Sequence, residues 1–429
     1  MARTDGFRVM LGSKLAELAK QGAIQTLGLR AAVVGVNFAV MLWLAWFLGF
    51  ATFGRLAALW GGALVAGTVL SLGGPVILLR LLTDGKGMRA RDICMIAVVY
   101  PALLGLSLCA VSVTFWPGWP WAAILSAGFV ANLLGCLAAV MRALGSVQAS
   151  MVLRDAGPQV ALGMGGMIGA TAAADRIVIN AAAAMAVLAL FGLIWVCRHK
   201  DIFVMLATVR RRYWSTSLWA ASVLGMVVAQ IDLIIGGAVI SAEQLGVYAV
   251  LRRIANLVAL PVTVATWVSA PAVSAAYGAD DQKALVRASA RGSQIAILPG
   301  LALFVIGLLA IPALPFAFPE QAAQGLSPIF VILLLGALGQ VILTSSFTLA
   351  TLCGAPRFAM GARLVMVLLY LLWFVCWGPA LTATMNAVGY VGALTLGGVA
   401  LWWAVWRQLG VDTSALVLLH ARGWVWRPS

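Results

Sequence analysis

The sequence predicts an all-α integral membrane protein of about twelve transmembrane helices in two halves of six. Three observations carry this. The 429 residues are 63% hydrophobic and only 10% charged, with a mean hydropathy of +1.04, whereas a soluble domain is about one quarter charged. Twelve runs approach the roughly 20 apolar residues that a bilayer-crossing helix needs. The basic residues behind the net charge of +15 fall almost wholly in alternate connections between those runs. In a soluble chain such charge would suggest nucleic acid; here topology explains it, and no nucleic-acid partner is expected.

Taken in order, the first six runs lie near 30–50, 56–80, 93–115, 119–141, 158–174 and 177–197. The second six lie near 217–240, 246–276, 294–316, 327–353, 360–378 and 389–409. The fifth is short, and the eighth and tenth are long enough to tilt or kink. The first 28 residues carry charges throughout and lack a short apolar core with a cleavage site, so the first span is expected to serve as an uncleaved anchor. With the N-terminus in the cytoplasm, all but four of the 28 Lys and Arg fall on the cytoplasmic side. Only Arg55, Arg176, Arg252 and Arg253 do not. The positive-inside rule therefore puts both termini in the cytoplasm.

The organisation expected is an N-terminal bundle over 1–197, a linker over 198–216 and a C-terminal bundle over 217–429. The linker aligns Ile202, Met205, Leu206, Val209 and Tyr213 on one helical face beside Arg210, Arg211 and Arg212, the pattern of a helix lying on an anionic leaflet, with a plain topological anchor as the favoured alternative. "LGSKLAELAKQG" near the N-terminus is a second candidate of that kind. The halves also echo one another. "WLAWFLGFATFGRLAALW" from Trp43 and "DLIIGGAVISAEQLGVYAVLRR" from Asp232 each run span, short outer turn, aromatic-and-glycine step, span. Six spans per half give both halves one orientation, a parallel repeat about an axis along the membrane normal.

The six cysteines show neither CxxC nor zinc spacing and read as small core or lipid-phase residues. His199 and His420 are the only histidines, and both fall in cytoplasmic segments. No Ser/His/Asp set, metal cluster or P-loop is available, and no outer loop is long enough to house an active site. Neither an enzyme nor a cofactor is expected.

The stretches "GFATFGRLAAL", "VLSLGGPVILLR" and "DLIIGGAVISAEQLGVYAVLRRIANLVALPVTVATWVSAPAVSAAYGADD" resemble polysaccharide flippases. These are the O-antigen and exopolysaccharide branch of the multidrug/oligosaccharidyl-lipid/polysaccharide superfamily. The resemblance covers nearly all the chain in topology, with its recognisable words in spans one, two, seven and eight. It implies two six-helix bundles in a V around a central cavity, in the bacterial inner membrane. It also implies that a polyprenyl-diphosphate-linked oligosaccharide is moved from inner to outer leaflet. An H+ or Na+ gradient would drive the transport, and membrane lipids and polysaccharide polymerase or export components would be partners. Related peptidoglycan-precursor flippases have two further spans, which this sequence lacks. The competing readings are a cation-coupled drug exporter of the same superfamily, with Asp232 as the responsive carboxylate, and a non-transporting assembly subunit.

Charges inside spans usually face a bundle interior or an aqueous cavity. At 100° per residue Arg252, Asn256, Thr263 and Thr266 share one stripe of span eight, while Arg253 points elsewhere. Asp232 in span seven lies at a depth matching Arg252, roughly 12 Å against 9 Å from the outer turn at the helical rise. Two arginines facing one aspartate leave a surplus cation that could grip a diphosphate or an acidic sugar. Pure ion pairing and a helix end in outer water are the alternatives, and which arginine pairs with Asp232 is left open. The favoured division gives Arg252 to substrate and Arg253 to the aspartate. Asn37, Gln230, Gln340 and Thr344 are further candidates for cavity polar groups, more often interhelical glue. Pro261 interrupts the stripe and is a candidate hinge. Gly165 and Gly169 in "GMGGMIG" suggest close helix contact.

Overall fold

The computed structural model describes residues 28–83, 93–115, 120–169, 172–198, 216–318, 326–353 and 356–414. The candidate surface helix near the N-terminus and residues 199–215 of the linker lie outside them. The described residues form helices and turns without strands, because a chain in lipid must satisfy its backbone polar groups internally.

Among the described residues twelve helical rods result, ten of them long and apolar enough to cross a membrane and an eleventh if the bent pair Leu326–Ile342 and Ser346–Leu352 is taken as one span. In the first half they are α1 (Gly28–Leu48), α2 (Phe50–Leu70, then Gly74–Thr83), α3 (Met95–Thr114), α4 (Trp121–Ala143), α5 (Val147–Met151, Val152–Ala156 and Gly157–Ile168) and α6 (Ala174–Arg198). In the second they are α7 (Thr216–Val239), α8 (Ala242–Asn256, Leu257–Ala259 and Leu260–Gly278), α9 (Gln282–Leu309), α10 (Leu326–Ile342, then Thr344–Leu352), α11 (Pro356–Trp377) and α12 (Ala383–Leu409).

The irregular places have a common cause. A proline ring collides with the carbonyl four residues before it. The π turns Met95–Val99 in α3 and Val152–Ala156 in α5 contain the positions four before Pro101 and Pro158. The 3-10 turn Leu257–Ala259 in α8 contains the position four before Pro261. In each case the chain changes helical pitch where the α-helical bond would be lost. The α1–α2 corner is a single residue, Gly49, at φ 76°, a left-handed value that costs glycine nothing. Ser241, Asp281 and Thr382 cap α8, α9 and α12 by accepting from backbone N–H groups of the first turn.

Span five departs from the sequence expectation. It starts at Val147 and ends at Ile168 instead of covering 158–174. Arg154 and Asp155 lie inside it, adjacent in sequence, with Arg154 Nε 3.8 Å from Asp155 Oδ1. The apolar count stopped at them, but the helix does not.

The outer surface is apolar, with Leu298, Leu309, Ile168 and Val375 among the most exposed side chains. Trp43 stacks on Phe47 and Trp46 packs edge-on against Phe50 at one end of the bundle. Trp402 stacks on Trp406 and Arg407 lies over Trp403 at the other. Such aromatic groups suit the two membrane interfaces.

Packing is densest within each half. In the first, α4 packs on α2 and α6, and α5 on α6; in the second, α8 packs on α9 and α10, and α12 on α10 and α11. Gly165 meets the α6 backbone so closely that a Cβ there would lie 2.7 Å from the Ala181 nitrogen and the Ile177 oxygen, the close contact its spacing suggested. The halves join along α2, which packs on both α7 and α8. That junction is reciprocal. A Cβ on Gly54 would lie 2.0 Å from the Ala242 carbonyl oxygen, and one on Gly246 would lie 2.0 Å from the Phe50 carbonyl oxygen. The same shift along the chain carries Phe50 onto Ala242 and Gly54 onto Gly246, so the parallel repeat meets itself at this crossing. With little hydrophobic drive between helices in lipid, such backbone approach supplies the van der Waals contact.

Candidate functional site

The charged centre of the C-terminal half forms where α7 and α8 hairpin together. Their turn is short, so Asp232 and Arg252 come level, as their depths required. Arg252 Nε lies 2.8 Å from Asp232 Oδ2, with the arginine side chain 7% and the aspartate 0% exposed. Arg252 Nη2 donates to the Ala229 carbonyl at 2.6 Å and to the Tyr390 hydroxyl at 2.8 Å. The Tyr248 hydroxyl donates to Asp232 Oδ2 at 2.6 Å. From α11 and α12, Tyr370 bonds to Asn386 Oδ1, and Asn386 Nδ2 donates to the Asp232 carbonyl at 3.3 Å. Four helices are therefore tied to one buried ion pair. The Arg252 guanidinium lies over the Tyr390 ring, 4.8 Å from its centroid, and Tyr370 meets Tyr390 edge to face.

The network is not saturated. Arg252 Nε approaches the carboxylate without hydrogen-bond alignment, and Asp232 Oδ1 has no hydrogen-bond partner. Within a membrane such a pair offsets the cost of inserting either charge alone.

This geometry revises the division of labour read from the sequence. Arg252 holds Asp232, and Arg253 does not. Arg253 is half-buried and forms no ion pair with Asp232. Asn256 is exposed one turn below. The stripe from Arg252 to Thr266 is also broken. Three residues at the 3-10 pitch add about 60° of rotation over the α-helical value, so Thr266 turns into a separate cavity. Pro261 sits at the start of the helix after that turn.

The remaining candidates scatter. Asn37 Nδ2 donates to the Asp155 carbonyl at 2.9 Å, joining α1 to α5. Gln230 faces α2, its Oε1 3.2 Å from where a Gly61 Cβ would stand. Gln340 lines a cavity in the second half. The side chain of Thr344 lies outside the described set.

Two cavities lie on either side of α7. One, about 470 Å3, is walled by α1, α2, α4, α5 and α7. Its charged lining is Arg30, Arg142, Arg154 and Asp155, with Asn132, Ser150 and Ser222 among its polar groups. The other, about 450 Å3, lies among α7, α8, α10, α11 and α12, with Arg363 as the one charged residue among the described residues that line it. Sequence reasoning missed the first cluster because Arg30, Arg142 and Arg154 satisfied the topology count and seemed explained. The available signal was Arg30, already inside an apolar run, and the Arg154–Asp155 pair just ahead of Pro158. All three arginines converge because α1, α4 and α5 end at the same face of the bundle.

No protein-family model matches the chain, and no curated protein matches it. Solved structures do. An inward-closed lipid II flippase, MurJ, superposes with a TM-score of 0.66 at 13% identity over 92% of each chain. An outward-facing multidrug resistance MATE family transporter of the MOP superfamily gives 0.60 at 14% identity, over 93% of this chain and 96% of that one. A Vibrio cholerae MATE transporter gives 0.60 at 15%, over 96% and 99%. At these identities the likeness shows a fold shared with these proteins and leaves the activity open.

Proposed function

We propose that the chain flips a polyprenyl-diphosphate-linked oligosaccharide from the inner to the outer leaflet of the bacterial cytoplasmic membrane. The observation that supports this is the charge of the first-half cavity, which among the described residues is lined by three guanidinium groups and one carboxylate. A lipid diphosphate is a compact dianion or trianion, and arginine grips its oxygens with paired, charge-assisted hydrogen bonds. The ends of α1, α4 and α5 that build the cavity are those that the positive-inside pattern assigns to the cytoplasm. A headgroup in the inner leaflet meets them first. Both termini are then cytoplasmic, and the two bundles, 1–197 and 217–429, rock about the linker in alternating access. An H+ or Na+ gradient is the energy source, and polymerase or export components of a polysaccharide pathway are the partners.

The test is transport of a fluorescent polyprenyl-diphosphate disaccharide in proteoliposomes. Replacing Arg30, Arg142 and Arg154 together by Gln should lower the initial rate at least ten-fold. Each charged hydrogen bond is worth about 1.5–3 kcal/mol, and about 1.4 kcal/mol is a factor of ten. A triple variant flipping at the parental rate, at equal protein level, removes the reading.

A cation-coupled exporter is the second reading, favoured by the unbonded Asp232 Oδ1, which a proton or Na+ would satisfy. A cavity for cationic drugs should carry carboxylate in excess, and the first-half cavity carries the reverse. Efflux of a cationic dye by cells expressing the chain, abolished in Asp232→Asn, would favour this reading over the first.

A further inference from the structure

The second cavity has a different chemistry from the basic one, and α7 is the wall between them. Ser222 and Met226 face the first cavity, while Gly225 and Val228 face the second. At about 450 Å3 it falls within the roughly 300–1,000 Å3 of small-molecule sites. Its polar lining is hydroxyl and amide: Thr266, Thr348, Thr351, Thr395 and Gln340, set among apolar walls. Thr348 Oγ1 donates to Thr266 Oγ1 at 3.2 Å, joining α10 to α8 across the cavity wall.

The one cation, Arg363, is already committed. Its Nη1 donates to the Ala221 carbonyl at 2.8 Å, and its guanidinium lies over the Phe347 ring at 5.4 Å. Gly225 makes room for it, since a Cβ there would lie 3.2 Å from the guanidinium carbon. Among the described residues no Asp, Glu or Lys lines this space. One end is stoppered. After α12, Gly410 turns left-handed at φ 63°, and Val411, Thr413 and Ser414 run back buried into the bundle. The Thr413 hydroxyl sits 2.7 Å from that of Ser346, a residue of the cavity lining.

Hydroxyl and amide groups spaced on apolar walls, with no uncommitted charge, match an uncharged molecule rich in hydroxyls. Thr351 already donates to the Phe347 and Thr348 carbonyls and Thr348 to Thr266, so their oxygens present acceptors, Thr266 and Thr395 add hydroxyl donors, and the apolar surfaces suit the C–H faces of a ring. We propose that this cavity holds uncharged sugar residues of the transported glycan, while the diphosphate remains with the arginines across α7. The inference rests on the flippase reading and divides that substrate between two compartments. Threonine hydroxyls on the second-half side then set which glycan is accepted, because a buried polar group left unpaired by the wrong sugar is costly.

The experiment measures binding to the purified chain in nanodiscs with two probes, a polyprenyl diphosphate and the same lipid carrying an uncharged disaccharide. The parental protein should bind the glycan lipid about ten-fold more tightly than the bare diphosphate. The triple substitution Thr266→Val, Thr348→Val, Thr395→Val should erase that gain and leave diphosphate affinity within two-fold, which itself reports an intact fold. Replacing the three first-half arginines by Gln should weaken both probes. A threonine variant that keeps the full gain overturns the proposal, as does a parental protein binding both lipids equally. A parental protein that binds neither probe overturns the flippase reading instead, and the proposal with it. Should the triple variant lose both affinities, Thr351→Val and Gln340→Leu are read singly. About three-fold weaker glycan-lipid binding with unchanged diphosphate binding supports the proposal, and no change overturns it.

Discussion

Asp232→Leu and Arg252→Leu, made singly, should each destabilise the chain by about 3–5 kcal/mol, the cost of leaving one partner of a buried ion pair charged and alone. The surroundings make the upper part of that range the better expectation. Asp232 is fully buried, and losing Arg252 strands its carboxylate beside three tyrosines with one hydroxyl donor, Tyr248. Losing Asp232 strands the guanidinium between the Ala229 carbonyl and the Tyr390 hydroxyl. The double variant Asp232→Leu/Arg252→Leu should recover at least half of the loss, because neither charge then remains to be desolvated. Thermal unfolding midpoints in one detergent, with the yield of monodisperse protein, measure all three. Single variants within 1 kcal/mol of the parent, or a double variant no better than the worse single, would show that the pair does not hold α7 to α8.

A second large effect should come from adding one carbon atom at the crossing of α2 and α8. Gly54→Ala and Gly246→Ala each place a Cβ 2.0 Å from a carbonyl oxygen of the facing helix, well inside contact distance. Backbone cannot rotate aside as a side chain can, so the helices must separate. Overpacking typically costs about 1–3 kcal/mol, and both substitutions should reach the top of that range. Because they strain the same crossing, the double variant should cost less than the sum. Gly392→Ala in α12 is the matched control. Nothing lies within 4 Å of its added Cβ, so the helix propensity of alanine should raise stability by up to about 1 kcal/mol. Opposite signs at the crossing and the control are the expected result. Equal behaviour would mean that the two halves do not meet there. The crossing also closes the outer ends of α2 and α8, so either alanine should increase maleimide labelling of a cysteine placed at Phe50.

Much of the architecture could be read before any coordinate was known, for reasons particular residues make plain. Apolar length alone defines a span, and eleven of the twelve were placed near their helices. Depth from the turn sufficed to bring Asp232 level with Arg252, because a short hairpin leaves few registers. Span five starts earlier than its apolar run because Arg154 and Asp155 look like an end, while packing against α1, α4 and α6 carries the helix through them. Which arginine holds Asp232 is open in the sequence, and the structure gives that place to Arg252. Its partners Tyr390 and Ala229 come from other helices, and periodicity along α8 cannot see across the bundle. The 3-10 turn at 257–259 then shifted the lower part of α8 out of the phase that a uniform 100° step assumes. The basic first-half cavity was hidden by a sufficient explanation, since a residue that satisfies the positive-inside rule can still line a site.

The reciprocal crossing of Gly54 and Gly246 also exposes an inequality. The shift that carries Gly54 onto Gly246 carries Val40 onto Asp232 and Trp60 onto Arg252. One hairpin is bolted by charge to α11 and α12, and its twin has only a valine and a tryptophan at the equivalent stations. Apolar contacts slide over many nearly equal arrangements, whereas an ion pair permits few. Two copies of one plan thus differ at these stations, one held by charge and hydrogen bonds and the other by apolar packing.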